Sequence, residues 1–400
     1  MMKYSPFNGK GIENLYSLKD FKSLKLDKKT LDSLGLKGVD ESVIGLFNKG
    51  VAEFENLLSK GRLTASTEFS LSSDSPPSLQ VHNYTGMCPK NVFEISPSDG
   101  ACSISCLYCL VSDGDHRKPI TLHREYPQLL ARELKKIKGK NFFYFSPKVE
   151  AFSEPLLQTG ISHEILRTFI SHYEENLESG AKIFIATKAG PRHLNYANQG
   201  ETIIELLERM KGRVQYNGSI GIMPEYIQEV LEPNSPSLEE RLEGIKICQE
   251  KGIYARAVLA QPIIPIYLNE ERVHGFMKKM REFGVDNVKP EFLTASFENL
   301  AVIGQFINHF DPNLLAPFLN LYISSNNRNH VKQRSRTAPS RTWSTENLAL
   351  INAIASSYGI STSICNWVCL QTGTKDLTKC AGERGFRCLG YQEGILSGNQ

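Results

Sequence analysis

The arrangement of residues 91 to 293 constrains the fold most strongly, because strand-like and helix-like segments alternate throughout it. The helix-like segments carry apolar residues at three- and four-residue spacing and separate each strand-like segment from the next. Parallel strands need such crossovers, so the alternation predicts an α/β fold whose parallel sheet curves into a partial (β/α)6 barrel. The six strand-like segments are NVFEIS (91–96), NFFYFS (141–146), KIFIAT (182–187), VQYNGSIGI (214–222), YARAVLAQPI (254–263) and NVKPEFL (287–293).

Two local features refine this prediction. Ser237 followed by Glu240 is a capping box, which predicts where the helix before the fifth strand begins. In barrels of this kind the chemistry lies at the C-terminal ends of the strands. The loop that follows the first strand is therefore where an active site is expected.

The segments on either side of the barrel have different patterns. Residues 11 to 60 carry helical periodicity, and SLSSDSPPS (70–78) predicts a flexible joint. We therefore expect a helical N-terminal region with its linker over residues 1–78 and the barrel over 79–300. Residues 301–400 are expected to be a C-terminal extension that carries an auxiliary metal or cluster site.

The composition, with 40% hydrophobic and 22% charged residues, is typical of a soluble globular protein. No apolar run approaches the roughly 20 residues that a membrane-spanning helix needs. The N-terminal sequence lacks the apolar core of a secretory signal, so we expect a cytoplasmic protein with no membrane partner. The formal charge of +3 gives no electrostatic reason to expect a nucleic-acid partner.

Three of the nine cysteines form a compact motif in SDGACSISCLYCLVSDG (98–114). Cys102, Cys106 and Cys109 have the spacing C-x3-C-x2-C, in a chain whose odd cysteine count argues against a disulfide framework. Three thiolates fit a [4Fe–4S] cluster with one iron left open for a substrate or cofactor. A zinc-stapled loop is the alternative, although zinc normally requires a fourth ligand, and His116 is poorly spaced for it.

The motif resembles that of the radical S-adenosylmethionine superfamily, since it lies on the first barrel loop and has Tyr108 before its third cysteine. The resemblance implies that Cys102, Cys106 and Cys109 bind the cluster and that the open iron chelates S-adenosylmethionine. It also implies that Tyr108 packs near the adenine. In that family an electron from the cluster cleaves the sulfonium, and the resulting 5′-deoxyadenosyl radical abstracts hydrogen from the substrate.

Residues 90–295 are further similar to the spore photoproduct lyase branch of this superfamily. In IFIATKAG, Lys188 matches the lysine that meets the S-adenosylmethionine carboxylate. In VQYNGSIGI, Ser219 matches a serine that also reaches the cofactor. LEPNSPSLEERLEGI follows the branch pattern with Glu232 and Arg241 in place. The cofactor-binding residues that the resemblance implies are Tyr108, Lys188, Ser219, Glu232 and Arg241.

The chain departs from spore photoproduct lyase at two positions. The lyase has a hydrogen-donating cysteine after the second strand, whereas FYFSPKVEAFSEP contains none, and the tyrosine expected after the cluster motif is Leu110. Both differences remove parts of the thymine-dimer repair machinery. Glu150 and Glu154 lie at this strand end instead and are candidate catalytic residues. The alternative for each is a solvent-exposed carboxylate at a helix start.

A second group of cysteines lies near the C-terminus. Cys365, Cys369, Cys380 and Cys388 are separated by glycine-containing spacers and suit a closed metal site. Peptide-modifying radical enzymes often carry auxiliary clusters in such extensions, so we expect an auxiliary [4Fe–4S] cluster, with structural zinc as the alternative. Cys248 is predicted to face the apolar side of its helix and to belong to the core.

The leading functional hypothesis is a radical enzyme that modifies a ribosomally synthesised precursor peptide. Among lyase-like enzymes of that class, the spliceases excise tyramine from a Tyr-Gly segment and leave an α-keto-β-amino acid. This resemblance implies a small leader-binding partner protein and an external electron donor. A nucleic-acid lyase or repair enzyme and a zinc-stapled interaction protein are the alternative hypotheses.

Overall fold

The computed structural model describes the chain in twelve stretches. These are residues 2–3, 21–60, 68–74, 80–82, 92–99, 102–109, 119–137, 142–145, 149–263, 265–324, 329–331 and 336–362. The helices are α1 (Lys28–Ser33), α2 (Glu41–Ser59), α3 (Tyr126–Lys136), α4 (Glu154–Gln158), α5 (Ile161–Glu175), α6 (Pro191–Leu194), α7 (Ile203–Arg209), α8 (Glu225–Leu231), α9 (Leu238–Glu250), α10 (Glu270–Glu282), α11 (Phe297–Phe310), α12 (Pro312–Ile323) and α13 (Arg341–Ser357). A 3₁₀ turn covers Pro265–Tyr267.

The strands are β1 (Met2–Lys3), β2 (Glu68–Ser72), β3 (Gln80–His82), β4 (Val92–Ile95), β5 (Ser98–Asp99), β6 (Ile120–His123), β7 (Phe142–Phe145), β8 (Lys182–Thr187), β9 (Ala197–Asn198), β10 (Glu201–Thr202), β11 (Val214–Ser219), β12 (Tyr254–Ile263), β13 (Asn287–Phe292), β14 (Ala295–Ser296), β15 (Asn329–Val331), β16 (Arg336–Ala338) and β17 (Ser361–Thr362).

The central sheet has the order β17-β13-β12-β11-β8-β7-β4-β3. The strands β4, β7, β8, β11, β12 and β13 are the six that the sequence predicts, and each pairs in parallel with the next. The predicted capping box is present, because Ser237 and Glu240 exchange side-chain-to-backbone hydrogen bonds of 2.8 and 3.2 Å. The α/β fold class is therefore confirmed.

Three features of the central sheet differ from the prediction. The fourth strand ends at Ser219 rather than at residue 222, because its pairing with β12 ends at the partner of Ser219, Val258. At one edge, β17 adds a seventh parallel strand beside β13, inside the predicted C-terminal extension. At the other edge, β3 pairs with β4 in the antiparallel direction.

A second, four-stranded sheet has the order β1-β2-β6-β5. Its strand β2 includes residues 70–72, the start of the predicted flexible joint, so that prediction is wrong for these residues. They pair in parallel with β6, where Ser70 lies opposite Thr121. The small sheet leads from the first barrel strand to the cysteines, because β5 ends three residues before Cys102.

Two apolar cores lie in the described part of the chain. The larger core fills the space between the central sheet and its outer helices. The smaller one, here called the loop core, joins side chains of α2, α8, α11 and α12 to the loop that carries the three cysteines. At its centre α2 approaches α11 so closely that a Cβ atom on Gly50 would lie 2.6 Å from the Cα of Glu298.

Within the described residues, no helix combines the length and the apolar character needed to cross a membrane.

Candidate active site

The three clustered cysteines lie on residues 102–109, here called the cysteine loop. Two turns shape it, because the Ser105 amide donates to the Cys102 carbonyl and the Cys109 amide donates to the Cys106 carbonyl, both at 3.1 Å. Ser105 has a φ of 57°, a left-handed conformation that few non-glycine residues adopt. Cys106 is buried, and Cys102 and Cys109 are half-buried.

The thiols of this loop fit a metal cluster by their chemistry. Burial raises the pKa of the Cys102 thiol to about 12, although hydrogen bonds from the main chain of Ile104 and Glu150 oppose the shift. Burial also raises the pKa of Cys106 above its ordinary value. A thiolate there needs a positive charge beside it, which iron ions supply, and three thiolates leave one iron of a [4Fe–4S] cluster open. In the described ranges, no three or more His, Cys, Asp or Glu converge as ligands of a single metal ion.

Residues 231–235, which begin at the last residue of α8 and are here called the clasp segment, hold the cysteine loop in place. The Leu107 amide donates to the Leu231 carbonyl at 2.9 Å. The Asn234 side-chain amide donates to the Ser103 carbonyl at 2.7 Å. The bond to Ser103 lies between the first and second cysteines, and the bond to Leu107 lies between the second and third. The shape of the loop is therefore set by the protein itself.

A buried ion pair between Glu232 and Arg241 anchors the clasp segment. Arg241 also donates to the main-chain carbonyls of Pro236 at 2.9 Å and Ser219 at 3.1 Å. The Tyr108 hydroxyl donates to the Glu232 carboxylate from the cysteine loop. The pair thus connects the end of β11, the start of α9 and the cysteine loop.

Lys188, at the end of β8, joins the buried group formed by Tyr108, Glu232 and Arg241. Its ammonium nitrogen lies 3.8 Å from a carboxylate oxygen of Glu232 and 3.5 Å from the hydroxyl of Ser219. The same nitrogen lies 5.8 Å from the centre of the Tyr108 ring. The structure therefore brings together all five residues that the resemblance assigns to the cofactor. Their contact with S-adenosylmethionine stays a prediction.

Electrostatic interactions keep the Glu232 carboxylate and the Lys188 ammonium ionised. Burial favours the neutral form of Glu232, but Arg241 and Lys188 outweigh it and hold the pKa of that carboxyl below its ordinary value. Burial likewise opposes the charge on Lys188, yet Cys106 and Glu232 raise the pKa of the ammonium above its ordinary value. A buried, charged lysine beside the cysteine loop can bind the carboxylate of a cofactor.

Glu150 lies between the cysteine loop and β8. Its amide donates to the Cys102 sulfur at 3.3 Å, and its carboxylate accepts from the Lys188 amide at 2.8 Å. The carboxylate also accepts from the Thr187 hydroxyl and from the Phe152 amide at 3.2 Å. Burial raises the pKa of Glu150 although these hydrogen bonds oppose the shift. Glu150 therefore ties the first cysteine to the lysine at the end of the third barrel strand.

Glu154 is the first residue of α4 and accepts a 2.9 Å hydrogen bond from the Ser103 hydroxyl. Its predicted place at a helix start is found, but solvent exposure is not, since only 4% of Glu154 and 6% of Glu150 is exposed. The Glu154 carboxylate and the Glu150 main-chain amide contact the cysteine loop, and the catalytic roles of both residues stay predictions.

Asn234 and Ser103 are the residues of this site that the sequence analysis misses. Asn234 lies in LEPNSPS, where asparagine beside proline and serine reads as a turn residue. Its side-chain oxygen is buried and has no hydrogen-bond partner among the residues that the structure describes. Asn234 lies two residues after Glu232, in a segment that matches the branch pattern. That position is the sequence signal by which it could have been found.

The second cysteine group, Cys365, Cys369, Cys380 and Cys388, lies outside the described residues, so its metal site stays a prediction. Cys248 is fully buried in the larger core, as predicted.

Comparisons with known proteins agree with this site. Residues 98–280 match the sequence family described as the Radical SAM superfamily, which implies a [4Fe–4S] cluster and S-adenosylmethionine. A point mutant of spore photoproduct lyase aligns at 12% identity and a TM-score of 0.52, over 84% of this chain and 92% of that one. The same lyase complexed with dinucleoside spore photoproduct aligns at 13% identity and 0.51, over 82% and 86%. No curated protein matches. Residues 98–280 of the chain therefore form a domain that matches the Radical SAM superfamily.

Proposed function

We propose that this enzyme excises a tyramine unit from a Tyr-Gly segment of a ribosomally synthesised peptide and leaves an α-keto-β-amino acid. One observation carries the proposal: within the described residues, the lyase-like barrel offers the substrate radical no thiol. The described residues contain four cysteines, of which three are on the cysteine loop and the fourth, Cys248, is buried in the larger core. A thiol would return a hydrogen atom to the radical and end its reaction. Without one, the radical lives long enough for bonds beside it to break.

The proposed reaction begins with removal of a hydrogen atom from the target tyrosine. The bond from the tyrosine Cα to its carbonyl carbon then breaks, as does the bond from its amide nitrogen to the preceding carbonyl. The two carbonyl carbons become joined, and the excised nitrogen, Cα and side chain leave together as a radical that takes up one electron from the external donor and one proton. The peptide therefore loses the amide nitrogen, the Cα and the side chain of that tyrosine.

The chain's own residues position the reactants in this scheme. When bound, the cluster and S-adenosylmethionine supply the radical that removes the hydrogen atom. Lys188 and Ser219 are proposed to bind the cofactor, and Tyr108 to pack near its adenine. Glu150 and Glu154 are proposed catalytic-site carboxylates, and their bonds to the cysteine loop support a role in fixing the geometry of the reactants.

The proposal includes further components. The four C-terminal cysteines are proposed to bind an auxiliary [4Fe–4S] cluster near the peptide. An external electron donor reduces the first cluster, and a small partner protein binds the leader of the precursor peptide. We propose that these components work together in the reducing environment of the cytoplasm.

Mass spectrometry tests this function directly. The enzyme, reconstituted without oxygen and reduced with dithionite, is incubated with S-adenosylmethionine and peptides that contain one Tyr-Gly step. We expect peptide mass to fall by the tyrosine amide nitrogen, Cα and side chain, with 5′-deoxyadenosine formed alongside. Intact peptides together with repair of a dinucleoside spore photoproduct would instead favour the nucleic-acid lyase.

The auxiliary cluster is tested with Cys369→Ala. We expect this variant to keep the first cluster and to form 5′-deoxyadenosine but no shortened peptide. An unchanged yield of shortened peptide would show that the C-terminal cysteines are not needed for turnover.

A further inference from the structure

Two side chains of β7 on the inner face of the central sheet are partly exposed. Along this strand Phe142 and Tyr144 are half-exposed, whereas Phe143 and Phe145 are buried. Phe143 packs against Phe169 of α5, with ring centres 5.1 Å apart, so the buried residues face the helices. The half-exposed residues therefore face the inside of the partial barrel, where solvent reaches them in part.

Strand β13 turns polar side chains toward the same interior. Its residue Phe292 packs against Trp343 of α13, with ring centres 5.2 Å apart, so Phe292 faces the helices. Side chains alternate along a strand, so Asn287, Lys289 and Glu291 face the opposite side. Asn287 accepts a 3.4 Å hydrogen bond there from Arg256 of β12.

The sheet register places Lys289 level with the cofactor cluster. Ser219 of β11 pairs with Val258 of β12, and Val258 pairs with Lys289 of β13. Two strand spacings, roughly 10 Å, therefore separate Ser219 from Lys289. Two or three residues of an extended peptide span such a distance.

Lys289 and Glu291 form an ion pair at this level. The ammonium nitrogen lies 2.8 Å from a carboxylate oxygen, and only 8% and 11% of the two side chains is exposed. The pair offers strong donors and strong acceptors side by side, with no net charge. In a site shielded from water, such groups bind dipoles more strongly than they would in solution.

We propose that Lys289 and Glu291 form a subsite for the main chain of the substrate peptide, an inference that rests on the proposed function. The ammonium of Lys289 donates to a peptide carbonyl, and the carboxylate of Glu291 accepts from a peptide amide. The amide thus bound lies two or three residues away from the one that faces the cofactor. A phosphodiester fits this subsite poorly, because it offers only acceptors and its charge is repelled by Glu291.

Peptide binding tests this subsite separately from catalysis. The probe is a dye-labelled synthetic peptide with one Tyr-Gly step, and its fluorescence anisotropy is titrated with the reconstituted holoenzyme and S-adenosylmethionine, without reductant. Lys289→Met or Glu291→Gln should weaken binding about ten- to a hundredfold, the size expected for one charge-assisted hydrogen bond. The matched controls, Lys278→Met and Glu282→Gln, remove exposed charges of α10 and should bind as the wild type does.

An exchange of the two charges separates peptide binding from a purely structural role. In the double variant Lys289→Glu/Glu291→Lys the ion pair is kept but its direction along the strand is reversed. We expect its thermal unfolding midpoint to be closer to that of the wild type than the midpoints of the single variants are, while its peptide affinity stays low. Recovery of both would overturn the proposal, as would unchanged affinity in the single variants.

Two outcomes of the binding measurement distinguish failure of the subsite from failure of the proposed function. If the wild type binds the probe and the Lys289 and Glu291 variants bind it equally well, the subsite is wrong and the function stands. If the wild type binds no peptide, the proposed function fails and the subsite with it. Should Lys289→Met not fold, Lys289→Arg keeps the charge and is expected to lose less than tenfold in affinity.

Discussion

The buried pair of Glu232 and Arg241 allows a quantitative test, because substitution of one member leaves the other with different remaining partners. We compare Arg241→Met, Glu232→Gln and the double variant. Removal of one partner from a buried ion pair costs about 3–5 kcal/mol, since it leaves a charge without compensation in a shielded site. Both side chains here are at most 1% exposed.

The environment decides where each variant falls in that range. In Arg241→Met the Glu232 carboxylate keeps the Tyr108 hydroxyl and the Lys188 ammonium at 3.8 Å, so the cost should be near the lower end, about 3 kcal/mol. In Glu232→Gln both Arg241 and Lys188 lose their nearest carboxylate. The cost of that variant should therefore be near the upper end, about 5 kcal/mol.

The assay is urea unfolding under anaerobic conditions, with the free energy of unfolding taken from linear extrapolation. The double variant should cost less than the sum of the single variants by about 1–3 kcal/mol, because neither charge remains alone. Glu239→Gln is the control, since its ion pair with Lys279, at 2.6 Å, is exposed, and it should leave the stability nearly unchanged. Simple additivity, or a greater cost for Arg241→Met than for Glu232→Gln, would refute the reasoning.

Three other predictions concern the cluster, a helix contact and a buried histidine. Cys106→Ala should lose iron and form no 5′-deoxyadenosine, whereas the core variant Cys248→Ala should keep its iron content, as measured by metal analysis and absorption. Gly50→Ala should cost about 1–3 kcal/mol in urea unfolding, because its new methyl group would overlap the backbone of α11. The control is Gly45→Ala on the same helix, where an added Cβ atom would meet no described atom within 4 Å. This variant should raise the free energy of unfolding by up to about 1 kcal/mol. Burial lowers the pKa of His193 to about 4, so the unfolded chain takes up its proton first as the pH falls below about 6.5. The free energy of unfolding should thus be about 2 kcal/mol lower at about pH 5 than at about pH 8, and His193→Gln should reduce that difference.

The sequence predicts the barrel strands well because each is a short apolar run between helices with regular periodicity. The segments 182–187 and 254–263 agree with the structure at both ends. The helices α11 and α12 are not predicted. The buried residues of α11 extend over more than one side of the helix. In α12 they form one face, but Leu314, Pro317 and Leu321 lie outside that face and hide its periodicity in the sequence. The two-residue strand β17 is too short to show any pattern.

The candidate site is predictable to the extent that its residues form local motifs. The spacing of the three cysteines depends on one short loop, and so the motif is visible in the sequence. The bonds of Glu150 to Thr187 and of Asn234 to Ser103 join segments that are distant along the chain. Sequence alone places Glu150 at the correct strand end, but the partners that hold its oxygens depend on the folded sheet.

The loop core has a consequence for the electrochemistry of the enzyme. Phe47, Val51 and Phe54 of α2 belong to the same apolar core as Cys106 and Tyr108. The reduction potential of an iron–sulfur centre depends on how well its surroundings exclude water. An N-terminal helix that lies about fifty residues before the three cysteines along the chain would therefore help to set the reduction potential of a cluster bound there. Shortening the chain at this end would change the driving force of the reaction even if every ligand stayed in place.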